Sequence, residues 1–147
     1  MKVVGVIPSR LSSSRLPNKP MADISGIPMI AHVIQRSQLA ESLDELYIVT
    51  DSEEICGVAK DYNCKFLMTS KDHKTGTDRI GEIVEDLDAD IIVNIQGDEA
   101  LVTPEDIDAS SQILIDRLDL DIGMLVTKFN NVDSHSDVKV ALNLFNE

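Results

Sequence analysis

Apolar residues in this sequence recur with two different periods, and the two alternate along the chain. Val3-Val4-Gly5-Val6-Ile7, Leu46-Tyr47-Ile48-Val49-Thr50, Lys65-Phe66-Leu67-Met68 and Asp90-Ile91-Ile92-Val93-Asn94-Ile95 are short β-rich runs. Between them, apolar residues return at i, i+3, i+4 and i+7. This is the spacing of Ile55, Val58, Ala59 and Tyr62, and again of Ile80, Ile83, Val84 and Leu87. Pro28 to about Leu39 reads as a helix with Pro28 in its first turn. Asp51-Ser52 supplies an N-cap for the second helix. Thr103-Pro104-Glu105-Asp106 opens a fourth helix with a cap, a proline and two first-turn acids, running to about Leu118. Ile122 to Phe129 reads as a further strand, and Val138 to Leu142 offers another. Strands 3 to 7 and 90 to 95 are apolar on both faces, as strands covered by helices on both sides must be. Strand and helix in alternation imply parallel crossovers. The expected fold is therefore α/β, a three-layer, doubly wound, mostly parallel sheet. In such a sheet ligands sit outside the carboxyl ends of the strands. That rule singles out the loops after Ile7, after Thr50 and after Ile95.

The 147 residues suit one domain with a substantial core. No apolar run reaches the roughly 18 residues of a membrane helix, so membrane insertion is not expected. The N-terminal apolar run stops at Pro8-Ser9-Arg10 without a small-residue cleavage site, which does not fit a signal peptide. Cys56 and Cys64 match no metal-binding spacing and read as reduced thiols of a cytoplasmic protein. A net charge of −13 argues against nucleic acid as a partner. The charge is uneven, however. The first twenty residues hold Lys2, Arg10, Arg15 and Lys19 and no acid. A cationic segment on an acidic protein points to a local anion site.

Three segments carry residues able to do chemistry. Pro8-Ser9-Arg10-Leu11-Ser12-Ser13-Ser14-Arg15-Leu16-Pro17-Asn18-Lys19-Pro20 follows a buried strand directly. Its three cations and four serines can surround a polyphosphate through charge-assisted bonds and hydroxyl donors. It has neither the Walker A nor the Rossmann glycine pattern. Asn94-Ile95-Gln96-Gly97-Asp98-Glu99 places hard carboxylate oxygens at a strand end, which suits Mg²⁺ bridged to substrate phosphates. The same residues equally suit a Gly-Asp turn. His73-Lys74-Thr75-Gly76-Thr77-Asp78-Arg79 precedes a helix whose N-terminus can hold an anion or a base. On its own it reads better as a plain cap by Thr77 or Asp78. Asp51 is readily explained as a helix cap. His32 in a helix and His135 in the polar stretch Asn130 to Asp137 have no catalytic or metal-spaced partner and read as structural.

Taken in order, these segments resemble the cytidylyltransferases that activate acidic sugars, and most of all the 3-deoxy-manno-octulosonate (KDO) cytidylyltransferases. The resemblance rests on Pro8-Ser9-Arg10 with Arg15-Leu16-Pro17-Asn18-Lys19-Pro20, then Gly26-Ile27-Pro28-Met29-Ile30, Thr50-Asp51, His73 to Arg79, Val93 to Glu99, and Val138-Lys139-Val140. Two positions depart from the pattern. Asn18 stands where glycine is usual, and asparagine is the next best residue for a left-handed backbone. Ala100 stands where proline is usual.

The resemblance implies a nucleotide-diphospho-sugar transferase type of Rossmann-like fold. It also implies that residues 1–147 form the nucleotide-binding portion, with the sugar-binding and dimerisation part absent and a homodimer therefore less assured. The implied reaction couples CTP to KDO, giving CMP-KDO and pyrophosphate for lipopolysaccharide or other cell-surface polysaccharide synthesis, with Mg²⁺ as cofactor. The implied catalytic residues are Arg10, Lys19, Gln96 and Asp98. Arg10, Arg15 and Lys19 neutralise the triphosphate, and Asp98 holds the metal. Gln96 faces the sugar or the α-phosphate. Thr75, Gly76 and Arg79 lie near cytosine and ribose, and Pro8 and Ser9 line the nucleotide pocket. A second metal-binding aspartate is expected beyond Glu147. The alternatives are a cytidylyltransferase for another acidic sugar, of 8-amino-KDO or sialate type, and a CTP-binding module without turnover.

Overall fold

A computed structural model describes residues 1–12, 16–127 and 140. The chain begins with β1 (Val3–Ser9), then a short hairpin of β2 (Asp23–Ile24) and β3 (Ile27–Pro28), α1 (Met29–Ser37), β4 (Glu45–Thr50) and α2 (Glu53–Asp61). It continues through β5 (Lys65–Met68), α3 (Gly76–Ile83), β6 (Ile91–Asn94) and α4 (Pro104–Asp116). Strands β5, β4, β1 and β6 lie side by side in that order, and every pairing is parallel. The chain moves outward from β1 through β4 to β5, then returns to the other side of β1 for β6. The direction of winding reverses between β1 and β6, and that reversal opens a crevice at their carboxyl ends.

Side-chain alternation along β1 explains why both faces of the sheet are covered. Val3 and Ile7 join Ile30 and Ile34 of α1, Ile55 of α2 and Ile107 of α4 in one apolar cluster. Val4 and Val6 point the other way, to Ile80 and Ile83 of α3. The result is three layers, with α1, α2 and α4 on one face and α3 on the other. A strand between two such layers needs no polar side, which is why β1 reads as a continuous apolar run.

Three loops are fixed by single carboxylates. Asp44 accepts the Val3 N–H at 2.8 Å, and Asp90 accepts that of Lys2 at 2.7 Å. Asp108 accepts the N–H groups of Ser42 and Glu41. Burial pushes the Asp108 carboxyl up, but the Ser42 and Glu41 hydrogen bonds outweigh it and leave the group below its ordinary value.

Some expectations shift. Pro28 is not in the first turn of α1; it is the residue before it, with extended φ −58° and ψ 142°, and it closes the hairpin with Asp23. α3 gives way after Ile83 to a single 3₁₀ turn at Val84–Asp86, which keeps Leu87 buried with Ile80 and Ile83 but turns Val84, expected on the same stripe, out to solvent. α4 ends at Asp116 rather than Leu118. Residues 122–127 form no strand, because nothing among the described residues pairs with them. The rest of that predicted strand, the polar stretch with His135 and, apart from Val140, the last predicted strand lie outside the described residues.

Candidate functional site: a cleft at the carboxyl ends of β1 and β6

Three segments distant in sequence meet where the sheet winding reverses. β1 delivers Pro8, Ser9 and Arg10, and β6 leads through Ile95 to Gln96, Gly97 and Asp98. The N-terminus of α3 brings Thr75, Gly76 and Arg79. With Ser12, Lys19 and Pro20 they line a cavity of about 270 Å³. Three cations, Arg10, Lys19 and Arg79, and one carboxylate, Asp98, are among the lining residues. Of the residues expected at the site, only Arg15 lies outside the described residues.

Pro8 is the point of closest packing, and two glycines make it possible. A Cβ on Gly97 would stand 2.8 Å from the Pro8 carbonyl oxygen, and a Cβ on Gly76 would stand 2.9 Å from the Pro8 ring. Any side chain at either position would push the strand ends or α3 apart. The Ile95 N–H donates to the Val6 carbonyl at 2.9 Å and carries the β1–β6 pairing to the rim of the cleft.

Lys19 reaches the cleft through a tight local fold. The Asn18 N–H donates to the Leu11 carbonyl, and Asn18 itself is left-handed, with φ 54° and ψ 29°. A 3₁₀ turn over Lys19–Met21 follows, anchored by buried Pro20. Asparagine in place of glycine therefore preserves the turn. Lys19 Nζ lies 2.5 Å from Asp98 Oδ2, and both side chains remain substantially open to water. Arg10 Nη1 donates to the His73 carbonyl at 3.4 Å, tying the loop after β1 to the loop before α3.

The opposite wall is held more deeply. Thr75, not Thr77 or Asp78, is the N-cap of α3. Its hydroxyl accepts the Asp78 N–H while the Asp78 carboxylate accepts the Thr75 N–H. The Thr75 bonds hold the Asp78 carboxyl below its ordinary value. Glu82 accepts from His73 Nε2 at 2.5 Å and from the Ser70 N–H at 2.9 Å, and these bonds lower its carboxyl too. Arg79 is 2% exposed; its Nη1 donates to Thr69 Oγ1, and its Nη2 stands 3.6 Å from Asp51 Oδ2. Asp51 is therefore a partner of Arg79, while Ser52 alone caps α2 through the Ile55 N–H. Two buried polar atoms at the cleft, Ser9 Oγ and Arg79 Nη2, have no hydrogen-bond partner.

Sequence reasoning did not single out Thr69 as a functional residue. Only the parallel register, which sets Thr50 beside Met68 and brings Thr69 next in line, makes it a neighbour of the site. His32 is structural as expected, its Nε2 bonded to the Ile24 carbonyl. Among the described residues no group of three or more His, Cys, Asp or Glu side chains could hold a metal. No helix among them is long and apolar enough to cross a membrane. Cys56 and Cys64 are free and buried, and burial pushes the Cys64 thiol up to about 12.

Comparison with known proteins places these segments in context. The chain is 46% identical over 132 residues to a 3-deoxy-manno-octulosonate cytidylyltransferase of Francisella tularensis subsp. novicida, covering 87% of this chain and 52% of that protein. It is 38% identical over its full length to the protein of the same name from Bdellovibrio bacteriovorus, covering 60% of it. The chain thus spans a little over half the length of the curated relatives it matches. A solved structure of CMP:2-keto-3-deoxy-manno-octonic acid synthetase complexed with CTP superposes with a TM-score of 0.79 at 40% identity, over 82% of this chain and 50% of that one. The family model described as cytidylyltransferase matches from residue 4 to residue 145, a span that takes in every segment meeting at the cleft, and the chain belongs to that family.

Proposed function

We propose that this chain binds CTP in the β1–β6 cleft and is the nucleotide-binding portion of a KDO cytidylyltransferase. In the reaction, the anomeric hydroxyl of the sugar attacks the α-phosphorus of CTP. An oxygen–phosphorus bond forms to give CMP-KDO, and the bond to pyrophosphate breaks in line. One observation carries the reading: Pro8-Ser9-Arg10, Lys19, Thr75-Gly76 and Gln96-Gly97-Asp98 converge on one cleft at a winding reversal of a parallel sheet. The names of the relatives supply the reaction.

Phosphoryl transfer needs positioning and charge neutralisation more than covalent help. Arg10 and Lys19, with Arg15, hold the triphosphate and the departing pyrophosphate. Gln96 at the end of β6 faces the α-phosphate or the sugar. Pro8 and Ser9 form the floor, and Thr75, Gly76 and Arg79 form the wall toward cytosine and ribose.

The donor set fits Mg²⁺ in one mode. A lone, partly exposed carboxylate, Asp98, beside a phosphate site suits an ion that keeps its waters and bridges to phosphates, not an all-protein cage. When bound, Mg²⁺ neutralises phosphate charge and acts as a Lewis acid. Asp98 is the residue that would hold it. A cytosolic setting agrees with two free, buried thiols.

Calorimetric titration with CTP, with and without Mg²⁺, followed by a pyrophosphate-release assay with KDO, tests the reading. Binding with release supports the full reaction. Binding with release only for another acidic sugar moves the substrate. Binding with no release for any sugar leaves a CTP-binding module, and no binding overturns the proposal. Asp98→Ala should weaken Mg²⁺-dependent binding far more than Mg²⁺-free binding; equal weakening in both would remove Asp98 as the metal ligand.

A further inference from the structure

Arg36 belongs to the last turn of α1 and does not line the cleft. It is half-buried and forms no ion pair among the described residues. A cation in the last turn of a helix is ordinarily explained by the helix dipole. This one also reaches elsewhere: its Nε donates to the Val102 carbonyl at 2.5 Å, across 66 residues of sequence. Val102 ends the segment that carries Gln96, Gly97 and Asp98. Two turns in series build that segment. The Glu99 N–H donates to the Gln96 carbonyl at 3.2 Å, with Gly97 and Asp98 between them. The Val102 N–H then donates to the Glu99 carbonyl at 3.0 Å, with Ala100 and Leu101 between. β1 holds the near end, through the Ile95–Val6 hydrogen bond and the close approach of Gly97 to Pro8. At the far end the Val102 side chain packs on the apolar cluster, and Arg36 holds its carbonyl.

We infer that Arg36 is a positioning residue, which fixes the far end of this double turn and so sets where Gln96 and Asp98 stand at the cleft. The inference rests on the reading of the cleft as a magnesium–CTP site. Packing along the span cannot do the same work, because Gln96, Asp98, Glu99 and Leu101 are all exposed. A span held at one end samples many conformations, and ordering the backbone of one residue shifts an equilibrium by a factor of roughly five to thirty. The hydrogen bond comes from Nε, not from the tips of the guanidinium, and this decides which side chains can replace it. Glutamine carries an N–H donor the same number of bonds from the backbone and no charge. Methionine reaches equally far and ends there in a methyl group. Lysine keeps the charge and has a methylene at that point. Position and charge are therefore separable. A second handle lies in the turn itself. Ala100 is the second residue of the Glu99–Val102 turn, a place that favours proline, and its N–H donates to no carbonyl among the described residues. Proline there stiffens the turn without touching Arg36.

The test is calorimetric titration of the whole chain with CTP, with and without Mg²⁺, for Arg36→Met, Arg36→Gln and Arg36→Met combined with Ala100→Pro. Amide hydrogen exchange without nucleotide is read in parallel. Arg36→Met should lower Mg²⁺-dependent affinity about tenfold and leave Mg²⁺-free affinity within about twofold. The Glu99 and Val102 amides should exchange faster, while the Ile95 amide is unchanged. Arg36→Gln should stay within about threefold of the unsubstituted chain, because the donor remains. Ala100→Pro should recover most of what Arg36→Met loses. A role for the charge alone gives another pattern: Arg36→Gln falls as far as Arg36→Met, the loss is as large without Mg²⁺, and proline rescues nothing. That pattern overturns the inference, and so does unchanged exchange at Glu99 and Val102. If circular dichroism shows that Arg36→Met does not fold, Arg36→Lys takes its place. Arg36→Gln should then bind CTP with Mg²⁺ more tightly than Arg36→Lys, and the reverse order overturns the inference. All these failures leave the CTP reading standing, whereas an unsubstituted chain that binds no CTP overturns both.

Discussion

The two walls of the cleft are built on opposite physical principles. On the wall made by α3 the cation is buried: Arg79 is 2% exposed and bonded to Thr69, with Asp51 beside it. The wall made by the loop after β1 and the turn after β6 is wet: the Lys19 and Asp98 side chains are 35% and 46% exposed, and their pairing is electrostatic. Charge in water is screened and forgiving of geometry, while a buried donor is strong and unforgiving. A ligand with a flexible polyanionic tail and a flat, directional base suits such a pair of walls. The tail needs neutralising charge from several directions, and the base needs a fixed surface.

This contrast can be broken by mutation. The largest effect is expected for Arg79→Met. It leaves Asp51 facing an apolar side chain in a largely buried site, and should cost about 3–5 kcal/mol in urea unfolding. Gly97→Ala comes next. Its Cβ meets the Pro8 carbonyl oxygen, and overpacking of this kind costs about 1–3 kcal/mol, accompanied by loss of CTP binding as the strand ends part. Lys19→Met should change stability by about 1 kcal/mol or less, because the pair it breaks is exposed. It should nonetheless weaken CTP and UTP alike and flatten the salt dependence of binding, read by titration across ionic strengths. If Lys19→Met destabilised the fold as much as Arg79→Met, the contrast between the walls would collapse.

The smallest effect is set by pH. The His73 hydrogen bond, and then the Ser70 N–H, hold the Glu82 carboxyl below its ordinary value. A carboxyl lowered by folding adds stability that is present above its unfolded value of about 4.3 and is lost as pH falls through the folded value. Acidification below pH of about 4 should therefore release the Ser70 amide first, seen as faster hydrogen exchange there than in β1. Glu82→Gln should abolish that acid-dependent step. An unchanged acid response in the variant would assign the loop's anchoring to other groups.

Much of this was legible in the chain before folding, for identifiable reasons. β1 announces itself because a strand covered on both faces carries a continuous apolar run, and β4, β5 and β6 are shorter β-rich runs between helical stretches. α2 and α4 carry their own caps, Ser52 and Thr103. The winding rule then selected the loops after Ile7 and Ile95 as ligand-facing, and the Asn18 turn followed from backbone preference. Boundaries were less visible. Thr75, Thr77 and Asp78 are all cap-competent, and only the reciprocal Thr75–Asp78 bonds choose among them. The β-rich run at Ile122 lacks a partner among the described residues, and a strand is a property of two segments, not one. Least visible was the pairing of Asp51 with Arg79, which lie far apart in sequence and are joined only by the packing of α3 against the end of β4. A residue suited to capping a helix turned out to balance a charge.

The ion pair between Lys19 and Asp98 has a consequence for how the cleft is loaded. The two charges that a magnesium nucleotide would engage are engaged with each other. Entry of such a ligand would be an exchange of partners, in which Asp98 would turn from Lys19 to the cation and Lys19 from Asp98 to the phosphates. Either ion arriving alone would strand one member of the pair.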